Sequence, residues 1–333
     1  MSRLKKQSQA RQQRVHRRKE ERRLRRLDVL RARKRQVEPP LARARSRRQG
    51  EKNLRVPRYF SFLRDPESTS RFLGEFAQKL RRYHVKLDFR KVEVIGPEAI
   101  AAMTAVLKSR KRPQFSRVRG NDPLSADARM VLEKSGFFEL VRHSKPLERA
   151  ATGKIQTRGS DQVDGKLAQD LIHFGMECLT GVPARSQPVY ETLIECMTNT
   201  RHHAGGESNQ VEGWWATVYA DEERRRVCFT FVDMGVGILA TARKNFFIEI
   251  TEKLGLRDDK DLLRGLLSGE IGSRTELKGR GRGLPKICNW SKAGRIQSLL
   301  IVTNFVYANV ELAEYRLMPE EFDGTLLYWE IEP

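Results

Sequence analysis

The charge of this chain is spread so unevenly that it confines folding to one part of it. Residues 1–50 carry 20 Lys+Arg against 4 Asp+Glu, an excess of +16 within a net charge of +22, which leaves +6 for the other 283 residues. Leu24, Leu27 and Leu30 form a short helical stripe there. Like charges at i,i+4 oppose an isolated helix, and Pro39-Pro40 breaks the segment. Residues 1–54 are therefore expected to be a disordered basic tail that becomes helical only on a polyanion. Three readings of such a tail stand side by side: nucleic acid held through phosphate neutralisation, an anionic membrane surface, or simple solvation. The remaining length suffices for two ordinary domains. No apolar run approaches the roughly 18 residues of a membrane span, and the N-terminus lacks the apolar core of a secretory signal, so a cytoplasmic protein is expected. Cys178, Cys196, Cys228 and Cys288 are scattered without a CxxC pair, which argues against a disulfide framework or a zinc site.

Residues 55–150 read as one compact α/β unit. An amphipathic helix over 68–83 precedes Val85-Lys-Leu87-Asp-Phe89, which alternates as a strand with apolar residues on one side. Ile95-Gly96-Pro97 turns into a small-residue helix over 98–108. A short strand at 115–118 and a helix over 125–135 follow, and the order strand, helix, strand, helix implies a small α/β sandwich. Residues 151–165, rich in Gly, Ser, Thr and Asp, suit a linker.

The second half carries the chemistry. Glu191, Glu195, Asn199 and His203 recur every four residues and so share one stripe of a helix, with His202 beside them, while Val189, Tyr190, Leu193 and Met197 supply an apolar face. Ser186 is placed to cap this helix and Pro188 falls in its first turn. A carboxylate and a carboxamide one turn apart can hold a water and an Mg2+, a cation that takes hard oxygen ligands and keeps several waters. Next, the run from Val227 to Val232 reads as a buried strand ending at Asp233-Met-Gly235-Val-Gly237. An aspartate at that strand end can accept from an exocyclic amine, and the glycines allow close approach to a flat ring. Then Gly279-Arg-Gly281-Arg-Gly283-Leu284 leads into a helix over 284–293, and backbone N–H groups at a helix start form an anion cradle. Gly324-Thr325 closes the series. Further strands are read at 214–220, joined to 227–232 by a charged turn, and at 295–302 and 325–331. Trp214-Trp215 reads as core rather than as a stacking platform for bases.

In order and spacing these four motifs closely resemble the boxes of the GHKL, or Bergerat-fold, ATPase superfamily of histidine-kinase-like ATP-binding domains. The Glu195-Cys-Met-Thr-Asn199-Thr-Arg-His-His203-Ala stretch is nearest the branch of anti-sigma-factor serine kinases. The resemblance covers residues 166–333 and implies an α/β sandwich with a mixed sheet that binds ATP and Mg2+. It assigns Glu195 to activating the nucleophile and Asn199 to the metal. Asp233 is assigned to the adenine amine, Gly235 and Gly237 to the adenine pocket, and Thr325 to supporting the base. Gly279, Gly281 and Gly283 would form a mobile lid over the phosphates, and His203 and Leu284 complete the cofactor-binding set. Pro285, Arg280 and Arg282 depart from the family's lid pattern.

Residues 55–150 resemble a STAS domain, the fold of anti-anti-sigma factors, through Leu87-Asp88-Phe89 to Leu107 and through Ser135-Gly136-Phe137. Gly96-Pro97 stands where signalling members carry a phosphorylatable serine, so a docking or regulatory module for a protein partner is implied rather than a kinase substrate. The expected function is a slow ATPase or nucleotide-dependent switch, the alternative a serine/threonine kinase acting in trans. A homodimer is compatible with both. A sensor histidine kinase is disfavoured, because no histidine has that family's phosphoacceptor context. The tail generates the first prediction. Full-length protein should bind duplex DNA or RNA with log K falling steeply as log salt rises, and a chain starting near Leu54 should not; equal binding by both forms would remove nucleic acid as a partner.

Overall fold

A computed structural model describes residues 50–109, 117–135, 137, 142–143, 155–203, 213–248, 258–271 and 283–333, with backbone alone at 142–143, 155–156, 158, 201–203 and 244–248. Apart from Gly50, the basic tail lies outside these residues up to β1. The elements in chain order are β1 (Glu51–Arg55), β2 (Tyr59–Phe60), α1 (Pro66–Leu80), β3 (His84–Asp88), β4 (Val94–Ile95), α2 (Pro97–Lys108), β5 (Val118–Gly120), α3 (Ala126–Lys134) and β6 (Arg142–His143). There follow β7 (Ile155–Ser160), α4 (Gly165–Thr180), α5 (Gln187–His203), β8 (Trp214–Asp221), β9 (Arg226–Asp233), α6 (Ile238–Ile248), α7 (Asp259–Ser268), α8 (Gly283–Lys292), β10 (Gln297–Asn309) and β11 (Glu314–Ile331).

Two main sheets result. The first, in the order β1-β3-β5-β6, is parallel at every pairing. The second, in the order β10-β11-β9-β8-β7, is antiparallel at every pairing, where a mixed sheet was expected. Two of its pairings, β8–β9 and β10–β11, are hairpins, which give antiparallel neighbours without crossover helices, and β11 joins the two hairpins by pairing with β9.

The antiparallel sheet is apolar on both faces. Along β9, Val227, Phe229 and Phe231 enter one hydrophobic cluster, while Cys228 and Val232 enter the other. On β11, Leu327, Trp329 and Ile331 alternate in the same way with Leu326 and Tyr328; on β10, Leu299 and Ile301 alternate with Leu300 and Val302. A strand has a side-chain period of two, so this pattern requires a cover on each face. Helices α4, α5, α7 and α8 contribute the front cover, with Ala168, Leu171, Leu193, Met197, Leu263, Leu267 and Ile287 packed on Phe229, Trp329 and Ile301. The back cover is the N-terminal α/β unit: α1 lies on β11, and the alanine-rich α2 lies on β8 and β9. Residues 50–333 consequently form one compact unit instead of two.

Boundaries shift for the same reason. Residues 51–54, expected in the tail, pair with β3 together with Arg55, so a tail deletion should end at Gln49. Residues 155–160, expected in a linker, pair with β8, and helix α4 begins at Gly165 with Asp164 as its cap. The other helices fall close to expectation: α1 starts earlier because Asp65 accepts from Ser68 N at 3.1 Å, and α3 is capped by Ser125. Trp214 and Trp215 are both buried, one in each cluster. Among the described residues no helix is long and apolar enough to cross a membrane.

At the start of α2, Glu98 is fully buried. Ser61 Oγ donates to its Oε1 at 2.6 Å and Leu63 N at 3.4 Å, while Oε2 has no hydrogen-bond partner among the described residues. Burial pushes this carboxyl up from its ordinary range, against those hydrogen bonds. The sign of the resulting pH dependence is fixed. A carboxyl raised in the folded state gives its stability below the unfolded value of about 4.3 and loses it as pH climbs through the raised folded value. Glu98→Gln keeps the Oε1 acceptor and removes the charge. It should melt a few degrees higher than the native chain at pH 8, with the difference vanishing toward pH 4 in thermal scans. An equal difference at both pH values would show that Glu98 is not the titrating group.

Candidate functional site

Helix α5 begins as its sequence dictates, with Tyr190 N donating to Ser186 O at 2.9 Å and Pro188 in the first turn. Val189, Leu193, Cys196, Met197 and Thr200 are buried, and Glu191, Glu195 and Asn199 are only partly so. Against this polar stripe comes the start of α8. A Cβ on Gly283 would run into Glu195 Oε2 and would stand 3.7 Å from Asn199 Nδ2, so a larger residue there would displace the Glu195 carboxylate. A turn toward the N-terminus, Glu191 Oε2 accepts from Trp290 Nε1 at 3.0 Å and pairs with Lys286 Nζ at 3.2 Å, which aligns α8 along α5. A hydrogen bond from Gln187, then those from α8, hold the Glu191 carboxyl below its usual range.

Asp233 ends β9, opposite Thr325 on β11 and Trp214 on β8. Its Oδ1 accepts from Gly235 N at 2.8 Å, which orients the carboxylate at the mouth of the loop that follows. That loop is fixed by β10. Ile238 N donates to Thr303 Oγ1 at 2.9 Å and Leu239 N to Asn304 Oδ1 at 3.1 Å, while Asn304 Nδ2 donates to Val236 O at 2.9 Å. Helix α6 thus has its first N–H groups satisfied by side chains of a neighbouring strand. Asn304 adopts a left-handed φ of 51°, and the register of β10 on β11 jumps there from Thr303↔Thr325 to Asn304↔Phe322. The irregularity leaves Asp323 and Gly324 as extra residues, and bulges of this sort recur beside functional sites. Gly324 has φ +116°, and a Cβ there would overlap the Asp233 carbonyl, so glycine is the residue this position accepts. Thr325 is buried with its Oγ1 3.4 Å from Thr303 Oγ1.

Cys196, next to Glu195 on α5, is buried; burial pushes its thiol well up, and the Asp233 and Glu195 carboxylates push it further. Of the residues expected from sequence, the structure sets Glu195 and Asn199 against Gly283, pairs Asp233 with Thr325, ties Gly235 to Asp233 and places Gly237 against Asn304. Leu284 is partly buried against the front core. His203 is the last residue of α5, but its side chain and that of His202 lie outside the described residues, as do Gly279 and Gly281. Four residues escaped the sequence reading: Lys286, Trp290, Thr303 and Asn304. For the last two a signal exists, since Thr303-Asn304 interrupts an otherwise apolar strand from Leu299 to Val306. Among the described residues no three His, Cys, Asp or Glu side chains gather as a metal site. No protein-family model matches the chain, and no curated protein matches it either.

The loop's dependence on one side chain is testable. Asn304→Ala leaves the Leu239 N–H and the Val236 carbonyl without their partner, and an unsatisfied buried group costs about 1–3 kcal/mol. Urea unfolding should register a loss of that size. An unchanged midpoint would mean that water replaces Asn304.

Proposed function

We propose that this chain binds ATP with Mg2+ in the manner of the GHKL superfamily and acts as a slow ATPase or nucleotide-dependent switch. The observation that carries the reading is proximity within four separate elements: Glu195 and Asn199 of α5 lie against Gly283 of α8, and Asp233 of β9 is paired with Thr325 of β11.

The donor set suits the cofactor. Asp233 and Thr325 present a carboxylate and a hydroxyl at adjacent strand positions, the arrangement that an adenine amine and ring nitrogen need. Main-chain N–H groups at the start of α8 face phosphate charge, and a helix N-terminus favours it further. Mg2+ seldom takes an all-protein cage, so Asn199 as single protein ligand fits a site without clustered carboxylates. The bound metal and triphosphate supply a transferable γ-phosphoryl group with its charge partly neutralised. Glu195, beside both Gly283 and Asn199, is positioned to hold the attacking water or hydroxyl. Whether water or a protein hydroxyl receives the phosphoryl group separates the switch from a kinase acting in trans. Labelled γ-phosphate should end as free phosphate, and label on a co-purified protein would select the kinase.

Three substitutions test the assignments. Asp233→Ala should abolish ATP binding in calorimetry while the protein remains folded, and undiminished affinity would end the adenine assignment. Glu195→Ala should retain nucleotide and lose on the order of 100- to 10,000-fold in turnover, the usual contribution of such a group. Asn199→Ala should remove the Mg2+-dependent part of the affinity.

A further inference from the structure

The parallel sheet carries a concavity lined by none of the residues assigned to nucleotide. Its strands end on one side, as parallel strands do, and the carboxyl ends of strands are where open α/β sheets bind ligands. A cleft of about 950 Å3 opens there between the loops after β1 and β3, one face of α1 and the turn before α3. Buried Val56, Phe72 and Val92 line its floor, and Leu124 stands at its edge 77% exposed.

The charge balance of this cleft is unusual. Five cations line it, Arg55, Arg58, Arg71, Arg90 and Lys91, with three carboxylates, Asp65, Glu75 and Glu93. Each carboxylate is already engaged. Asp65 caps α1 through Ser68 N, Glu75 pairs with Lys79 at 2.6 Å, and Glu93 pairs with Arg58 at 2.7 Å. Arg90 is held by Asp88 from behind the loop at 2.8 Å. Arg55, Arg71 and Lys91 form no ion pair or side-chain hydrogen bond with any described residue, yet they come from three different elements to one cleft. Like charges brought together without a partner cost free energy unless an anion joins them.

We propose that this cleft binds a small phosphate-bearing anion carrying two or three charged phosphates. Guanidinium groups offer forked donors that match phosphate oxygens, and the lysine adds a point charge. The volume lies within the range of small-molecule sites, and the apolar floor leaves room for the body of a phosphate ester. Nucleotides and free polyphosphate share this chemistry.

A residue-resolved footprint tests the proposal on the full chain, where the basic tail would mask a bulk titration. Lysines are acetylated in a brief pulse of acetic anhydride and quantified by peptide mass spectrometry, with inorganic tripolyphosphate or uridine triphosphate present. Lys91 should be protected at least fivefold, and Lys86, exposed on β3 and without an ion pair among the described residues, should not. Protection at lower concentrations of the nucleotide assigns the apolar floor to its base; equal concentrations restrict recognition to the phosphates. Arg55→Ala with Arg71→Ala should abolish the effect. Arg71→Gln alone, which retains the stem of the side chain, should weaken it severalfold, so that loss of fold cannot imitate loss of site. Equal acetylation of Lys91 with and without both anions, or protection that survives the double substitution, would overturn the site.

Discussion

The antiparallel sheet buries side chains on both faces, and everything else in residues 50–333 follows from the need to cover them. Phe229 and Trp329 stack in the front layer with ring centroids 5.7 Å apart, while Tyr328 and Leu326, one residue away, face the opposite layer. Fully burying a large apolar side chain is worth about 1.5–3 kcal/mol. A back face with Trp215, Val232, Val302, Phe322, Leu326 and Tyr328 could not be left in water by a protein of ordinary stability. The N-terminal α/β unit is therefore structural before it is anything else. Its α2 is rich in alanine because a helix laid flat on a sheet leaves little room for longer side chains.

Covering the sheet also fixes the site. Register along a two-sided strand cannot slip by one residue without exchanging the two faces, so the pairing of Asp233 with Thr325 is as firmly set as the core itself. The irregularity at Asn304 is tolerated at the end of this register, where it turns a polar side chain onto the loop after Asp233. The front cover then brings α8 onto α5 through Glu191, Lys286 and Trp290. The residues assigned to chemistry thus sit at the margins of rigid elements, and their spacing is set by packing.

Local order was legible in the sequence wherever a residue's own neighbours decide it. The four-residue stripe of α5, the hairpin of β8 and β9, the strand-end aspartate and the start of α5 after Ser186 all depend on nearby chain. Long-range choices were not. Residues 51–55 are charged, and their strand exists because β3 offers a parallel edge. Residues 155–160 look like a linker until β8 pairs with them. The alternation of Val227 to Val232 announces a buried strand but not what buries it, so two domains were expected where one compact unit stands. Asn304 stands out in the sequence as a polar break in an apolar strand, but its partners, Val236 and Leu239, are more than sixty residues away and so its role could not be read there.

Helix α1 stands between the cationic cleft and strand β11. On one side Ser70 Oγ donates to Glu320 O at 3.2 Å, and a Cβ on Gly74 would lie 3.5 Å from Glu320 Cβ. Arg81 at its end pairs with Asp323 at 3.7 Å, inside the irregular stretch that precedes Gly324 and Thr325. Its other side, with Ser68, Arg71, Phe72 and Glu75, lines the cationic cleft. Contacts this close leave α1 little freedom to slide, because packed interiors shift between discrete arrangements rather than deforming gradually. An anion in the cleft would change the Asp233–Thr325 pair only if it bound a second packing of α1 on β11 better than the first. With a single such packing, α1 holds both the cleft and the Asp233–Thr325 pair in place and leaves each insensitive to what happens at the other.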